Sequence, residues 1–167
     1  MKCYTGIGSR KTPHDVCEGM RRLAEYLDTA GFVLRSGGAD GADSAFEAGA
    51  DHAQIFLPWK GFNGNKSDLY PPTPAAFEMA AKFHPAWNKC TRGARALHAR
   101  NCYQMLGQNL CEPSKFVVCW HDGSGGTLQA IRIANAYDIQ VFNLKYVSLD
   151  DVISYAQNLL RAEGKED

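Results

Sequence analysis

Apolar residues fall along the chain in two alternating rhythms, short runs at strand spacing and longer stretches at helical spacing. Lys2 to Ile7 predicts a first strand, ending in Gly6-Ile7-Gly8-Ser9-Arg10. Thr12 and Pro13 then read as the N-cap and first position of a helix, where proline's missing N–H does no harm. Val16, Met20, Leu23, Ala24 and Leu27 follow at helical spacing, and Gly31 ends the element. Phe32 to Leu34 predicts a second strand, running into Arg35-Ser36-Gly37-Gly38-Ala39-Asp40-Gly41-Ala42-Asp43. Ala45, Phe46, Ala48 and Ala50 predict a short helix, and Gln54 to Leu57 a third strand.

From Pro58 to Pro74 the pattern is irregular and rich in proline and glycine, as in a functional or mobile loop. Helical spacing returns over Ala75 to Phe83 and from Thr91 to Leu110. Lys115 to Trp120 predicts a fourth strand, apolar enough to be covered on both faces. After His121-Asp122-Gly123-Ser124-Gly125-Gly126-Thr127 a helix runs through Ala136, and Ile139 to Leu144 predicts a fifth strand. Ser148 caps a last amphipathic helix, with Asp150 and Asp151 in its first turn and a frayed tail expected from Glu163 to Asp167. Strands alternating with helices predict an α/β, Rossmann-like parallel sheet of about five strands with helices on both faces. No linker, repeat or low-complexity tract interrupts the pattern, so residues 1–167 read as one domain.

Composition narrows the function classes. The 167 residues carry 18 basic and 18 acidic side chains, a balance that disfavours coating nucleic acid by bulk charge. No apolar run approaches the ~20 residues of a membrane span, and the N-terminal residues lack a signal-peptide core, so a cytoplasmic protein without membrane contact is expected. Six cysteines at wide, irregular spacings, without a C-x-x-C pair, read as reduced thiols. A metal centre drawn from Cys90, Cys102, Cys111 and a histidine is the less favoured alternative, and neither metal nor cofactor is expected.

Candidate chemistry gathers at the strand ends, where parallel sheets bind ligands. Three joints carry glycine clusters with Ser or Thr: Gly8-Ser9-Arg10, Ser36-Gly37-Gly38 followed by Asp40 and Asp43, and Gly123-Ser124-Gly125-Gly126-Thr127. Glycine lets a ligand approach the backbone, and the following helix N-termini favour phosphate. The first joint lacks G-x-G-x-x-G spacing and no G-x-x-x-x-G-K-[ST] occurs, which disfavours a dinucleotide fingerprint and a P-loop. Asp40 and Asp43 read equally well as helix N-caps. Between Glu78 and Glu112 no acidic residue occurs, whereas Lys82, Lys89, Arg92, Arg95 and Arg100 do. That one-sign segment implies a local anion site, with Lys82 and Lys89 read as solvated surface and Arg100 as functional.

Gly6-Ile7-Gly8-Ser9-Arg10, Arg35 through Asp43, His98-Ala99-Arg100-Asn101 and Gly123 to Thr127 together resemble the motifs of the SLOG superfamily. This Rossmann-like group includes the Smf/DNA-processing A proteins and the LOG phosphoribohydrolases. The resemblance implies binding of a nucleotide or nucleotide-derived small molecule, with phosphate over the glycine loops and base toward the Arg100 helix. It also implies self-association, with Trp87 as an exposed-looking contact. The LOG branch implies N-glycosidase action on nucleoside 5′-monophosphates, with Arg100 and Asp122 as catalytic candidates. In that branch acidic residues follow the third loop; here Gln129 and Ala130 stand there, and an amide cannot serve as a general base. Recognition or sequestration of a signalling nucleotide is therefore preferred. The Smf branch implies single-stranded DNA binding, for which Trp59, Phe62, Tyr70 and Trp87 would be stacking platforms. The balanced charge places nucleic acid behind a small molecule.

Overall fold

β1 (Cys3–Gly6) and β4 (Val117–Cys119) lie side by side at the middle of the sheet, and every residue in both is buried. The computed structural model describes residues 1–166. β2 (Val33–Ser36) and β3 (Ala53–Ile55) extend the sheet on one side and β5 (Val141–Asn143) on the other, all parallel, in the order β3-β2-β1-β4-β5. This is a Rossmann-like sheet. The chain reverses its direction of travel across the sheet between β1 and β4, which opens a crevice beyond their carboxyl ends.

The helices are α1 (His14–Thr29), α2 (Ala42–Gly49), α3 (Pro74–Phe83), α4 (Arg92–Leu106), α5 (Gly126–Ala136) and α6 (Leu149–Glu166). Two apolar cores separate the layers. Tyr4, Leu34, Phe116 and Val118 meet α1, α2 and α6 on one face, whereas Ile7, Val117 and Cys119 meet α3, α4 and α5 on the other. Adjacent residues of one strand, such as Val117 and Val118, thus serve opposite cores, as the two-residue period requires.

Several boundaries move from their predicted positions for identifiable reasons. β2 continues past Leu34 because its polar residues find buried partners. Ser36 Oγ donates to the Gly6 carbonyl at 2.6 Å, and Arg35 Nη1 donates to the Glu112 carbonyl at 2.6 Å. Thr12 does not cap α1; its hydroxyl donates to the Ser9 carbonyl at 2.6 Å, and Pro13 takes the N-cap position without a side-chain bond. α4 stops at Leu106 rather than Leu110, because Gly107 turns the chain with φ of 76°. Ser148 caps α6 reciprocally: Asp151 N donates to Ser148 Oγ at 3.2 Å and Ser148 N to Asp151 Oδ2 at 3.0 Å. α6 continues through Glu166 where fraying was expected from Glu163; Asp167 lies outside the described residues.

The irregular stretch from Pro58 to Pro74 is tied down rather than loose. Leu57 N donates to the Leu69 carbonyl, Ser67 Oγ to the Ile55 carbonyl at 2.6 Å, and Asn65 Nδ2 to Glu47. Phe62, in the single turn Phe62–Gly64, is buried with its ring 5.5 Å from the Arg100 guanidinium. The segment acts as a fixed wall behind α4. Among the described residues no helix is long and apolar enough to cross a membrane.

Candidate functional site

At the crevice beyond β1 and β4 a cavity of about 440 Å³ is enclosed by segments far apart in sequence. The loop after β1 contributes Gly8, Ser9, Arg10 and Lys11, the loop after β2 and the first turn of α2 contribute Ala39 and Asp43, and the loop after β4 with the start of α5 contributes Ser124 to Thr127. α4 closes the remaining side with Ala94, Leu97, His98, Arg100, Asn101 and Gln104. The three glycine-rich joints and the arginine helix are thus brought together.

Most of the glycines serve the protein's own packing. A Cβ at Gly8 would lie 2.6 Å from that of Ala42, and one at Gly37 would overlap the Gln104 amide and the Arg100 guanidinium. Several amides of the first two loops are also engaged. Ser9 N donates to the Trp120 carbonyl at 3.0 Å, and Asp43 accepts from the Ala39 amide at 3.3 Å, with the Gly8 and Gly37 amides near enough to favour its charged form. A carboxylate from the first turn of α2 therefore fills the place where sequence reasoning put a ligand phosphate.

The third loop differs. A Cβ at Gly125 or Gly126 would meet no atom within 4 Å. α5 starts here with Gly125 in the N-cap position and no side-chain cap, so its first amides lack intrahelical acceptors. Gly126 and Thr127 line the cavity, where unpaired N–H groups and the positive helix end favour an anion.

Arg100 is buried and anchored. Nη1 donates to the Gly37 carbonyl and to that of Phe56 (3.2 Å), and Nε donates to Asn101 Oδ1 at 3.1 Å. Asn101 Nδ2 in turn reaches the Gly126 carbonyl at 3.5 Å. The Arg-Asn pair thus ties the second and third loops to α4, while Nη2 takes no protein acceptor among the described residues. Burial lowers the Arg100 pKa to about 10 against the opposing pull of Asp43, and the positive charge of Arg10 lowers it further. Burial raises Asp43 to about 6, opposed by the Arg100 charge and the donated amides. Arg10, Lys11 and Arg100 around the cavity outweigh the one carboxylate, so an anionic guest is favoured.

The remaining sequence-predicted residues lie elsewhere. Ser36 is spent on the Gly6 carbonyl, and Gly38 and Asp40 border a separate groove beside β3. Asp122 is exposed and accepts from Ser124 Oγ at 2.7 Å, a bond that lowers its pKa. Neither Asp122 nor Gly123 lines the cavity, so the carboxylate at hand for acid–base work there is Asp43. Gln129 is buried, its amide turned to the Ala80 carbonyl and Arg132. Of the basic segment, Arg100 reaches the cavity, whereas Arg95 donates to the Trp87 carbonyl and stacks on the Trp87 ring at 5.1 Å. Trp87 itself is half-buried, and the exposed tryptophan is Trp59, whose ring flanks Gly93 at the start of α4.

Sequence reasoning missed one grouping. His84 at the end of α3, Cys90 after the turn Trp87–Lys89, and His98 in α4 present ligand atoms all within 4.8 Å of one another. Cys102 and Cys111, the other sulfurs weighed for a metal, are not part of it: Cys102 is buried against the Ala76 carbonyl and Cys111 is exposed. Burial lowers His98 to about 4, with His84, Arg100 and Arg132 adding to the effect.

No family profile matches the sequence, and none of the curated proteins does. Among solved structures, DNA processing protein A from Helicobacter pylori, described for its single-stranded DNA binding mode, superposes with a TM-score of 0.59. The superposition covers 99% of this chain and 81% of that one at 17% identity, so the two share a fold.

Proposed function

We propose that this chain is a SLOG-type protein that binds a nucleotide-derived small molecule, with its phosphate on the N-terminus of α5. The observation that carries this reading is the unfilled amide end of α5 facing the same cavity as Arg10, Arg100 and Asp43. The apolar flank formed by Ala94 and Leu97, with the His98 ring, suits a base. Recognition is favoured over turnover because Gln129 is committed to packing and Asp122 faces solvent. Isothermal titration at pH 7 against nucleoside mono- and diphosphates, ADP-ribose and cyclic nucleotides tests it. One member should bind at a single site and its unphosphorylated nucleoside should not; silence across the panel overturns the proposal.

Asp43 favours a second reading, N-glycosidase action on a nucleoside 5′-monophosphate. A cavity carboxyl with a pKa of about 6 can hold or deliver a proton near neutrality. Base release followed by chromatography, lost in Asp43→Asn, would replace recognition by hydrolysis. The shared fold with a single-stranded DNA binder supports a third reading, in which exposed Trp59 and the basic rim hold a strand. A gel shift that vanishes steeply between low and moderate salt would favour it.

A further inference from the structure

The hairpin of α3 and α4 brings two imidazoles and a thiol to one point on the face away from α1 and α2. His84 and His98 have ring centroids 4.6 Å apart, and Cys90 Sγ lies 3.6 Å from His84 Nε2. Tetrahedral zinc, with bonds of about 2.0–2.1 Å to nitrogen and about 2.3 Å to sulfur, separates neighbouring nitrogen and sulfur ligands by roughly 3.6 Å. That sulfur–nitrogen spacing is already present. His98 Nδ1 is shielded from solvent and has no hydrogen-bond partner. A buried ring nitrogen left this way is uncommon, and a cation bound there would satisfy it.

We propose that His84, Cys90 and His98 form a binding site for a zinc-class divalent cation, with water in the fourth position. Three protein ligands of the His/Cys type match this cation's chemistry, and the mixed nitrogen–sulfur set disfavours calcium and magnesium, which take oxygen. Binding requires rearrangement, because ligand atoms that now lie within 4.8 Å of one another must close to tetrahedral spacing. His84 Nδ1 accepts from Ala86 N at 3.0 Å, so whichever ring nitrogen ligates, that contact is given up. Ala86 lies in an exposed turn, where water replaces the lost acceptor. Cys90 must lose its proton, and its negative charge then offsets part of the metal's. The site pins the turn Trp87–Lys89 between α3 and α4. It does not depend on the nucleotide reading, although His98 also lines the cavity and so connects the two.

The test is cobalt titration of the reduced full-length chain after chelator treatment, with zinc as competitor. One Co²⁺ per chain should produce a thiolate-to-metal charge-transfer band and intense visible bands of tetrahedral type, both abolished by added Zn²⁺. Cys90→Ser should remove the charge-transfer band, whereas Cys111→Ser, at an exposed thiol outside the cluster, should leave it intact. His84→Ala and His98→Ala should each weaken zinc by more than the roughly 10–100-fold that outer-shell changes cost. Zinc should also raise the melting temperature of the parent chain and not that of Cys90→Ser. A band that survives Cys90→Ser, or no band in the parent chain, overturns the proposal. Circular dichroism of Cys90→Ser checks that its loss of binding is not loss of fold.

Discussion

At Gly126 the first residue of α5 has open space where a side chain would stand and a backbone that any residue adopts. Gly126→Ala is therefore expected to fold normally and to gain up to about 1 kcal/mol, because alanine narrows the unfolded ensemble. A phosphate seated on the α5 amides would meet the new methyl group, so affinity for the phosphorylated ligand should fall at least tenfold. Scanning fluorimetry and calorimetry on the one variant separate these effects; unchanged affinity would move the anion off this helix. Asp43 supplies a second residue-scale prediction. Its folded pKa of about 6 lies above the ordinary 3.8, so the native state holds the proton more tightly than the unfolded chain. Stability from this group is present below about pH 4 and is lost as pH rises through about 6. His98, lowered from 6.5 to about 4, contributes with the opposite sign: its share grows as pH rises across that range. Ligand affinity is therefore the cleaner readout. A cyclic nucleotide, whose phosphodiester does not titrate there, should bind more tightly at pH 5.5 than at pH 7.5 as Asp43 loses its charge. Asp43→Asn should flatten that profile, and a parent profile that is already flat would remove Asp43 from the binding equilibrium.

Among the elements, α4 and the three loops divide structural from ligand-facing arginine. Arg100 bonds the carbonyls of Gly37 and Phe56, so Arg100→Ala leaves buried acceptors unpaired at about 1–3 kcal/mol each. Its melting temperature should drop, and any loss of binding would report folding as much as contact. Arg10 is exposed on the cavity rim and has no protein partner among the described residues. Arg10→Ala is expected to change stability by no more than about 0.5 kcal/mol and to weaken the phosphorylated ligand about tenfold. Denaturant unfolding and calorimetry on both variants test the division; it fails if Arg10→Ala binds normally. Sequence pattern sufficed for the helices and for the meeting of glycine loops at one edge, because periodicity and βα turns are local. It was silent on which loop amides are free. That depends on Asp43 reaching back to the Ala39 amide, and its spacing reads equally as a helix cap. Likewise β2 looks finished at Leu34 until Arg35 is seen to meet Glu112 and Ser114, nearly eighty residues later. His84, Cys90 and His98 share no recognisable spacing, and only the packing of α3 on α4 unites them.

For the whole molecule, the order β3-β2-β1-β4-β5 explains why one crevice collects every segment with unusual chemistry. β1 and β4 are neighbours whose following helices leave on opposite faces of the sheet, so their loops separate and leave room between them. The loop after β2 and α4 close the sides of that room. A guest there touches four segments, of which Arg100 and Asn101 already tie the second and third loops to α4, and its binding energy should appear as global stability. A ligand that binds the folded state alone, at a hundred times its Kd, adds about 2.7 kcal/mol. For a chain of this size each kcal/mol corresponds to roughly 2–4 °C, so the melting temperature should rise by about 5–10 °C. The rise should grow with the logarithm of ligand concentration and should survive moderate salt, because the chain carries no net charge and the contacts are partly buried. A single-stranded oligonucleotide held by the basic rim would behave differently, losing its stabilisation steeply with ionic strength as counterions compete. Thermal shifts at two salt concentrations, with nucleotide and with oligonucleotide, therefore distinguish a small-molecule cavity from a strand-binding rim on the same fold.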